Sequence, residues 1–335
     1  MPSRLRLYAT APRTRPSPGT RGQVADFSRT AEEFGYDGIL VFHNHHDLDP
    51  WILAGAIVQS TRRIVPLVAA QPYAYSPVAL AKMIRTLVAL YQRRIDLNLI
   101  TGAAPSELSR VGDELSHDER YERATEYMQI VQALLSSDDR LTYSGKHYEL
   151  RGVQAFSRID EEDLRPEVFV AGSSPACRTA AQKVGDTLVT HPGPADQYRA
   201  ETSHLSGPSR AIRVELIARE TGEQAWQAAI SRYPSTRTGA VQTKFKQRSE
   251  SDWIRRLATA PEELATPGGV YWTGPFLVGA ATCPTLVGSH EQVAGYLDAY
   301  LASGVRTIIV AGAFERAEFE HLAPVTRLLR SRQEV

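Results

Sequence analysis

Short apolar runs rich in β-branched residues alternate along the chain with segments of helical periodicity. Eight runs predict strands: Leu5–Leu7, Ile39–Phe42, Ile64–Val68, Ile95–Leu99, Val168–Ala171, Thr187–Thr190, Ile212–Ala218 and Thr307–Val310. Strands that alternate with helices are typical of a parallel sheet, because each parallel crossover needs a long connection. Eight such units predict an α/β protein with the closed (β/α)8 TIM barrel fold, in which helices pack outside the strands.

Several helix ends are marked by residues that satisfy unpaired backbone groups. One helical pattern stops at Gly35, a residue type that readily adopts the left-handed conformation after a last turn. Pro77, behind a Ser76 cap, is placed to begin another helix. Two capping boxes, at Ser116–Glu119 and Ser289–Gln292, predict two further helix starts.

Two long segments interrupt the alternation of strands and helices. Residues 136–167 are expected to form an insertion with hairpin character at Leu141–Leu150, and residues 233–282 are polar and interrupted by Gly and Pro. Loops of this length in a compact domain are usually functional or mobile. We therefore expect a single domain over 1–335, with insertions at the carboxyl-terminal mouth and residues 233–282 as a mobile lid.

The composition favours a soluble globular protein, with 42% hydrophobic and 23% charged residues and a formal net charge of +0. A neutral chain has no long-range field to attract nucleic acid or anionic lipid, so we expect neither partner and favour a small-molecule ligand. We expect a cytoplasmic protein, because no segment has the pattern of a signal peptide or a membrane span. Cys177 and Cys283 have no zinc or redox spacing and are expected to be small buried hydrophobes.

The segment Val168–Pro175 has the pattern of a phosphate site. An apolar strand leads into Gly172, Ser173 and Ser174, and Pro175 then opens a helix. Glycine lets a ligand approach the backbone, the hydroxyls donate hydrogen bonds, and free N–H groups at a helix start favour an anion. An ordinary helix cap is the alternative, but loops after late barrel strands are where barrels often hold phosphates.

Two further segments carry polar groups next to apolar ones. Asn98 and Thr101 lie in and just after an apolar strand, where a buried amide must be hydrogen bonded. The partner is either a ligand or an internal water or backbone group. The segment Ser116–Glu122 is read as either part of a site or simply a capped helix start with surface charges.

Taken together, these segments resemble the bacterial luciferase-like monooxygenases, and most closely the alkanesulfonate monooxygenase branch. The matching motifs are Leu97–Gly102, His117–Glu122, Gly145–Tyr148, Ala171–Ser174, Arg219–Thr221 with Glu223–Trp226, and Leu286–Gly288. The resemblance implies a barrel that binds FMN as FMNH2, supplied by a separate NAD(P)H:flavin reductase. It also implies transfer of one oxygen atom from O2, through a C4a-peroxyflavin, to a small organic substrate by a homodimer or homotetramer.

The resemblance also implies a set of flavin-binding positions. These are Ala69, Asn98 and Thr101 near the flavin and ribityl chain, and Tyr121, Gly172, Ser173 and Ser174 at the phosphate. Members of the family often have a non-prolyl cis peptide at the end of the third strand. In this chain the resemblance implies such a peptide at Ala69–Ala70.

The loop after the second predicted strand carries the candidate catalytic residues. His45 and His46 align with a histidine pair that the resemblance links to handling protons of the flavin peroxide, a task for which the pKa of imidazole is suited. Asp47 stands where sulfonate enzymes have a reactive cysteine. His43 adds a fourth ligand type to this loop, but adjacent residues seldom face one ion, and we expect no metal.

Substrate contacts are expected at His191, Arg213 and Glu215. His191 falls where relatives have an aromatic residue, and Glu215 where sulfonate enzymes have a histidine. Because a loop arginine is also replaced, by Gly279, a simple alkanesulfonate is not the expected substrate. Arg213 and Glu215 share a strand face by period two, so they either bind a substrate carrying an amine or carboxylate or form an internal ion pair.

Three other functions are compatible with these motifs. Part of the same superfamily uses the deazaflavin F420 as a dehydrogenase cofactor. A catalytically silent flavin-binding or storage protein would share the phosphate loop. An unrelated phosphate-binding barrel, such as a lyase, would share the loop without binding flavin.

Overall fold

The structure is a computed structural model that describes residues 4–13, 16–102, 104–154, 158–234, 244, 246–247 and 249–332. The chain divides into two compact units. The first unit comprises residues 1–12, 30–37 and 189–335, and the second comprises residues 13–29 and 38–188. Parts of the expected lid, at residues 235–243, 245 and 248, lie outside the described residues.

The described strands follow the chain in twelve segments. They are β1 Arg6–Thr10, β2 Gly38–Val41, β3 Val65–Ala70, β4 Asp96–Leu99, β5 Arg140–Ser144, β6 Glu149–Gln154, β7 Val168–Ala171, β8 Thr187–Thr190, β9 Ser209–Arg219, β10 Tyr271–Trp272, β11 Thr285–Ser289 and β12 Val305–Ala311. All eight predicted strands are present, and the predicted (β/α)8 barrel fold is confirmed. The short β10 and the parallel strand β11 were not predicted as strands.

The described α-helices lie between these strands. They are α1 Thr20–Glu33, α2 Pro50–Ser60, α3 Pro77–Tyr91, α4 Pro105–Arg110, α5 His117–Ser136, α6 Pro175–Val184, α7 Ala195–Thr202, α8 Gly222–Arg232, α9 Asp252–Ala258, α10 Gly274–Leu277, α11 His290–Ala302 and α12 Arg316–Ser331. Short 3₁₀ turns occur at Glu162–Leu164 and Glu262–Leu264. The predicted Ser76 cap and both predicted capping boxes are confirmed, since each cap side chain accepts the expected backbone N–H.

In the second unit, β2, β3, β4 and β7 form a parallel sheet in that order. One face of this sheet packs on helices in a single apolar cluster that includes Val68, Ala70, Leu97 and Leu99. Because side chains alternate along a strand, Ala69 and Asn98 occupy the opposite face. These two residues are register partners on neighbouring strands.

The expectation of a cis peptide at Ala69–Ala70 is wrong, since the described residues contain no cis peptide bond. Both alanines remain in the regular ladder with β4, opposite Asn98 and Leu99. The ladder continues beyond the strand through the bond from the Ile100 N–H to the Ala70 carbonyl, at 3.1 Å. Unbroken parallel pairing is compatible with the trans form, which has the lower free energy for a peptide bond that does not precede proline.

In the first unit, β11, β9, β12 and β1 are parallel neighbours, and β10 adds to β11 in antiparallel orientation. The long strand β9 pairs with β12 over Arg210–Glu215 and with β11 over Glu215–Arg219. Glu215 therefore lies where both partner strands meet β9. This position buries Glu215, whose side chain is 3% exposed.

The insertion at 136–167 contains the antiparallel pair β5 and β6. Cys177 and Cys283 are free and buried, as predicted. In the part of the chain that the structure describes, no helix combines the length and apolarity needed to cross a membrane.

Candidate functional site

The loop after β7 forms a tight cradle in the second unit. Gly172 has a φ of 146°, and a Cβ atom there would lie 2.4 Å from the Tyr121 hydroxyl oxygen, so only glycine fits. The Tyr121 hydroxyl donates to the carbonyl of Ala171 at 2.9 Å. Ser174 caps α6, because its hydroxyl oxygen accepts the Cys177 N–H at 3.2 Å. The structure thus brings together Tyr121, Gly172 and Ser174, which the sequence analysis assigned to one site.

This cradle contains a cation that sequence reasoning missed. Arg178, in the first turns of α6, donates to the carbonyl of Ser173. A guanidinium near the amino-terminal end of a helix adds positive charge where the helix dipole is already positive. The sequence could have suggested a role for Arg178, since it lies one helical turn beyond the Ser174 cap, close to Gly172 in the chain. A phosphate at this loop would meet hydroxyl, backbone and cationic donors.

Thr101 and Tyr121 are closely associated. Burial raises the pKa of Tyr121 well above its ordinary value, assisted by Cys177 and opposed by a hydrogen bond with Thr101. Asn98 and Thr101 are 8% and 5% exposed. Ala69, Asn98 and Thr101 therefore belong to the buried end of the β3 and β4 segment of the second unit.

Two buried polar groups near the carboxyl ends of β2 and β3 have no hydrogen-bond partner among the described residues. They are Nε2 of His43 and both amide atoms of Gln71. Unpaired buried polar groups are uncommon because each costs about 1–3 kcal/mol. Together with the glycine cradle, these orphaned donors and acceptors fit a polar heterocyclic ligand with a phosphate, such as FMN. Gln71 was missed because its burial cannot be read from sequence.

The candidate catalytic residues occupy different environments. The side chain of His45 is 25% exposed, with Nε2 3.9 Å from a Glu107 carboxylate oxygen. His46 is exposed. Asp47 is paired with Arg13 at 3.0 Å and is 5% exposed at its side chain. The structure therefore does not bring His45, His46 and Asp47 into one cluster.

His43 joins His45 instead, in a small aromatic group with Tyr73. The ring centroids of His43 and His45 are 4.8 Å apart, and each lies 6.3 Å from the Tyr73 ring. Burial, followed by the neighbouring His45, lowers the pKa of His43, and nearby carboxylates only partly offset this. His43 is therefore neutral at physiological pH. Within the described ranges, no group of His, Cys, Asp or Glu has an arrangement that could hold a metal ion.

In the first unit, His191 is buried beneath an aromatic side chain from α9. The ring centroids of His191 and Trp253 are 3.6 Å apart. The His191 carbonyl accepts from Arg256 at 2.8 Å, and Arg256 also pairs with Glu201. Burial lowers the pKa of His191 well below its ordinary value, and the charges of Arg213 and Arg256 add to this. Sequence reasoning missed Trp253 because it lies 62 positions away along the chain.

Arg213 and Glu215 do not pair with each other. The Glu215 carboxylate accepts from the Tyr233 hydroxyl at 2.7 and 2.8 Å and from Arg232 at 3.2 Å. Arg213, in contrast, has no ion-pair or hydrogen-bond partner for its buried Nε among the described residues. Of the two alternatives, the internal pair between them is therefore not formed, because Glu215 pairs with Arg232 on α8. Arg213 remains a guanidinium next to a neutral histidine, an environment that favours an anionic ligand.

Glu215 belongs to a larger ion network. Arg232 also pairs with Glu318 at 2.7 Å, and Glu318 pairs with Arg219 at 2.8 Å. The network joins β9, α8 and α12. A carboxylate held in this way stabilises the fold and has few remaining lone pairs for a substrate.

Comparisons with known proteins agree with the motifs. The family model described as luciferase-like monooxygenase matches residues 6–307. BtrO of Niallia circulans, the monooxygenase of a 4-(γ-L-glutamylamino)butanoyl acyl-carrier protein, is 39% identical over 301 residues, which cover 89% of this chain and 88% of BtrO. Its name refers to a carrier-bound acyl group and not to an alkanesulfonate.

Solved structures support the fold. The EDTA monooxygenase EmoA of Chelativorans sp. BNC1 superposes with a TM-score of 0.74 at 18% identity, covering 98% of this chain and 94% of that chain. An F420-dependent secondary alcohol dehydrogenase superposes with a TM-score of 0.67 at 15% identity, covering 98% of this chain and 99% of the dehydrogenase chain. At these identities the likeness concerns the fold alone.

Proposed function

The chain belongs to the luciferase-like monooxygenase family, and from this premise we propose that it is an FMNH2-dependent enzyme that inserts one oxygen atom of O2 into a small organic substrate. The observation that supports FMN most directly is the glycine cradle at Gly172 close to the Tyr121 hydroxyl. A separate NAD(P)H:flavin reductase would supply the reduced cofactor. When bound, the flavin supplies the activation of O2, which no side chain can perform.

The second unit would hold the cofactor. Ser173, Ser174 and the α6 backbone bind the phosphate, and Arg178 adds charge there. Tyr121 supports the loop by donating to Ala171. Ala69 leaves space beside Asn98, and Thr101 and Asn98 orient the ring and ribityl chain. Water is excluded by the burial of these groups, which strengthens each polar contact.

Proton handling is assigned to the histidines after β2. His45 lies near Glu107, with Nε2 3.9 Å from a carboxylate oxygen, so a proton would pass between the two groups through one bridging water. His43 is neutral, and its buried Nε2 has no hydrogen-bond partner among the residues that the structure describes, so this nitrogen can accept a proton or a hydrogen bond. His46 and Asp47 are less suited to this role, because one is exposed and the other is neutralised by Arg13.

The substrate class follows from Arg213. A guanidinium beside His191 whose buried Nε has no partner in the described part of the chain fits a carboxylate of the substrate. The glutamyl group in the name of BtrO's substrate carries such a carboxylate. We therefore propose an acyl substrate with a terminal carboxylate, carried as a thioester on an acyl carrier protein.

The test combines the protein with FMN, a flavin reductase, NADH and O2, and offers a carrier-bound γ-glutamylaminobutanoyl group alongside an alkanesulfonate. We expect a mass increase of one oxygen atom on the carrier-bound acyl group and O2 consumption that depends on it. Oxidation of the sulfonate alone would contradict the substrate assignment.

An F420-dependent dehydrogenase is the second candidate, because a solved enzyme of that type has the same fold. Anaerobic incubation with F420 and alcohols distinguishes the two. Substrate-dependent reduction of F420 without O2 would overturn the monooxygenase proposal. Tight binding of oxidised FMN without any turnover would instead identify a flavin-binding protein.

A further inference from the structure

Gln71 is the most deeply buried unpaired amide among the described residues. The residue follows β3 and is 1% exposed, and neither Oε1 nor Nε2 of its side chain has a hydrogen-bond partner among the described residues. An amide in this state loses its hydration at both ends without compensation. Such a group is retained either because a buried water satisfies it or because a ligand does.

The backbone around Gln71 is held in place, so the amide cannot reach solvent by a small movement. The Gln71 carbonyl accepts from the N–H groups of Ala74 and Tyr75, at 3.0 and 3.4 Å. The Tyr75 hydroxyl in turn donates to Asp49, the residue that caps α2. The turn after β3 is therefore tied to the start of the neighbouring helix.

The period of the strand places Gln71 on a particular face. Val68 and Ala70 face the helices in the apolar cluster, so Ala69 and Gln71 occupy the opposite side in strand register. Asn98 is the register partner of Ala69 on the neighbouring strand. Gln71 therefore lies two positions beyond Ala69, on the same side, and the proposed function places Ala69 next to the flavin.

A carboxamide presents one acceptor and one donor side by side. Its complement is a ring edge on which an N–H group neighbours a carbonyl group. The pyrimidine ring of a flavin has such an edge, formed by N3–H and the C4 carbonyl. We propose that Gln71 binds this edge, with Oε1 accepting from N3–H and Nε2 donating to the C4 oxygen. The inference rests on the proposed function, since it requires a flavin-type cofactor in the second unit.

The test measures binding of FMN and of its N3-methyl analogue, which cannot donate from N3, with both flavins in the oxidised form and, under anaerobic conditions, in the reduced form. Titrations by flavin fluorescence and by calorimetry use the wild type, Gln71→Ala and the matched control Gln59→Ala, whose side chain is exposed. We expect the wild type and the control to bind FMN about tenfold more tightly than the analogue, the scale of one or two buried hydrogen bonds. We expect Gln71→Ala to bind both within about twofold, because the smaller side chain also leaves room for the methyl group.

A second variant protects the test against misfolding. Gln71→Glu keeps the size of the side chain but removes its donor, so it should bind FMN more weakly than the wild type while melting cooperatively. Equal preference for FMN over the analogue in the wild type and in Gln71→Ala would overturn the inference and leave a buried water as the partner of Gln71. If the wild type binds neither oxidised FMN nor, under anaerobic conditions, FMNH2, the proposed function itself fails, which is a different result.

Discussion

Single side chains change the role that a neighbour can play. Glu215 and Arg213 share a strand face, and the sequence alone allows them either to bind substrate together or to pair. In the structure Glu215 pairs with Arg232 and Tyr233, and the buried Nε of Arg213 has no partner among the described residues. We therefore expect a change at Glu215 to lower the stability of the fold and not to weaken substrate recognition.

The variant Glu215→Gln tests this directly. Removing the charge leaves Arg232 with one of its two carboxylates, so we expect a loss of about 3 kcal/mol in the free energy of unfolding. We expect kcat/KM to stay within about twofold, whereas Arg213→Gln should raise KM about tenfold or more with a smaller effect on stability. Chemical denaturation and steady-state kinetics measure both. A Glu215→Gln enzyme of normal stability and raised KM would contradict this account and indicate that Glu215 binds the substrate.

The phosphate loop supports a second prediction for single residues. Ser174→Ala combined with Tyr121→Phe removes two hydroxyls from the Gly172 cradle. We expect FMN affinity to fall by roughly 1–3 kcal/mol, as for lost hydrogen bonds to a charged group. Isothermal titration measures the change, with Thr179→Ala on the exposed side of α6 as the control. Unchanged affinity in the double variant would remove these residues from the cofactor site.

At the scale of elements, ion pairs join helices to strands in the first unit. Glu318 connects α12 to Arg232 at the end of α8 and to Arg219 at the end of β9. Burial by itself raises the pKa of Glu318, but the charges and hydrogen bonds of the two arginines outweigh burial, and the net pKa lies below its ordinary value of 4.5. The network is therefore strongest when this carboxylate is ionised.

This pKa shift gives stability a dependence on pH. Because the folded state holds the Glu318 proton more weakly than the unfolded chain, its contribution is present above about pH 4.5 and is lost as the pH falls through the folded pKa. We expect the melting temperature of the wild type to fall more steeply below that pH than that of Glu318→Gln. Glu320→Gln, an exposed change on the same helix, should behave as the wild type. Identical pH profiles for wild type and Glu318→Gln would contradict this account.

At the scale of the whole molecule, charge balance sets the behaviour in solution. The chain has 38 basic and 38 acidic residues, and its sequence isoelectric point is about 7.1. With little net charge, repulsion between molecules is weakest near neutral pH. A homodimer or homotetramer remains the expectation from the family resemblance, and light scattering measures it.

We therefore expect the solubility of the protein to pass through a minimum close to pH 7 and to rise toward both pH 5 and pH 9. Precipitation by polyethylene glycol across this range measures the effect, and low salt should sharpen it because charges are then less screened. Solubility that changes in one direction only across the range would show that hydrophobic contacts, and not net charge, control association.

The sequence by itself determined the features that depend on near neighbours along the chain. The strand runs, the Ser76 cap and both capping boxes were predicted correctly, because each depends on periodicity or on bonds between residues about three positions apart. For the glycine and serines after β7 the sequence predicted a phosphate site, with a helix cap as the alternative, and Ser174 does cap α6. The resemblance of ordered motifs then indicated the family.

Only the tertiary structure decided which polar groups are paired. Glu215 meets Tyr233 and Arg232 from a later helix, and Trp253 covers His191 from a distant segment. The side-chain amide of Gln71 is left without a hydrogen-bond partner among the described residues. Burial and pairing of this kind arise from packing between remote segments, and the free energy of a buried polar group depends on those neighbours more than on its own residue type. The pattern of residues along the chain therefore predicted where polar side chains occur, and packing decided which of them remain available to a ligand.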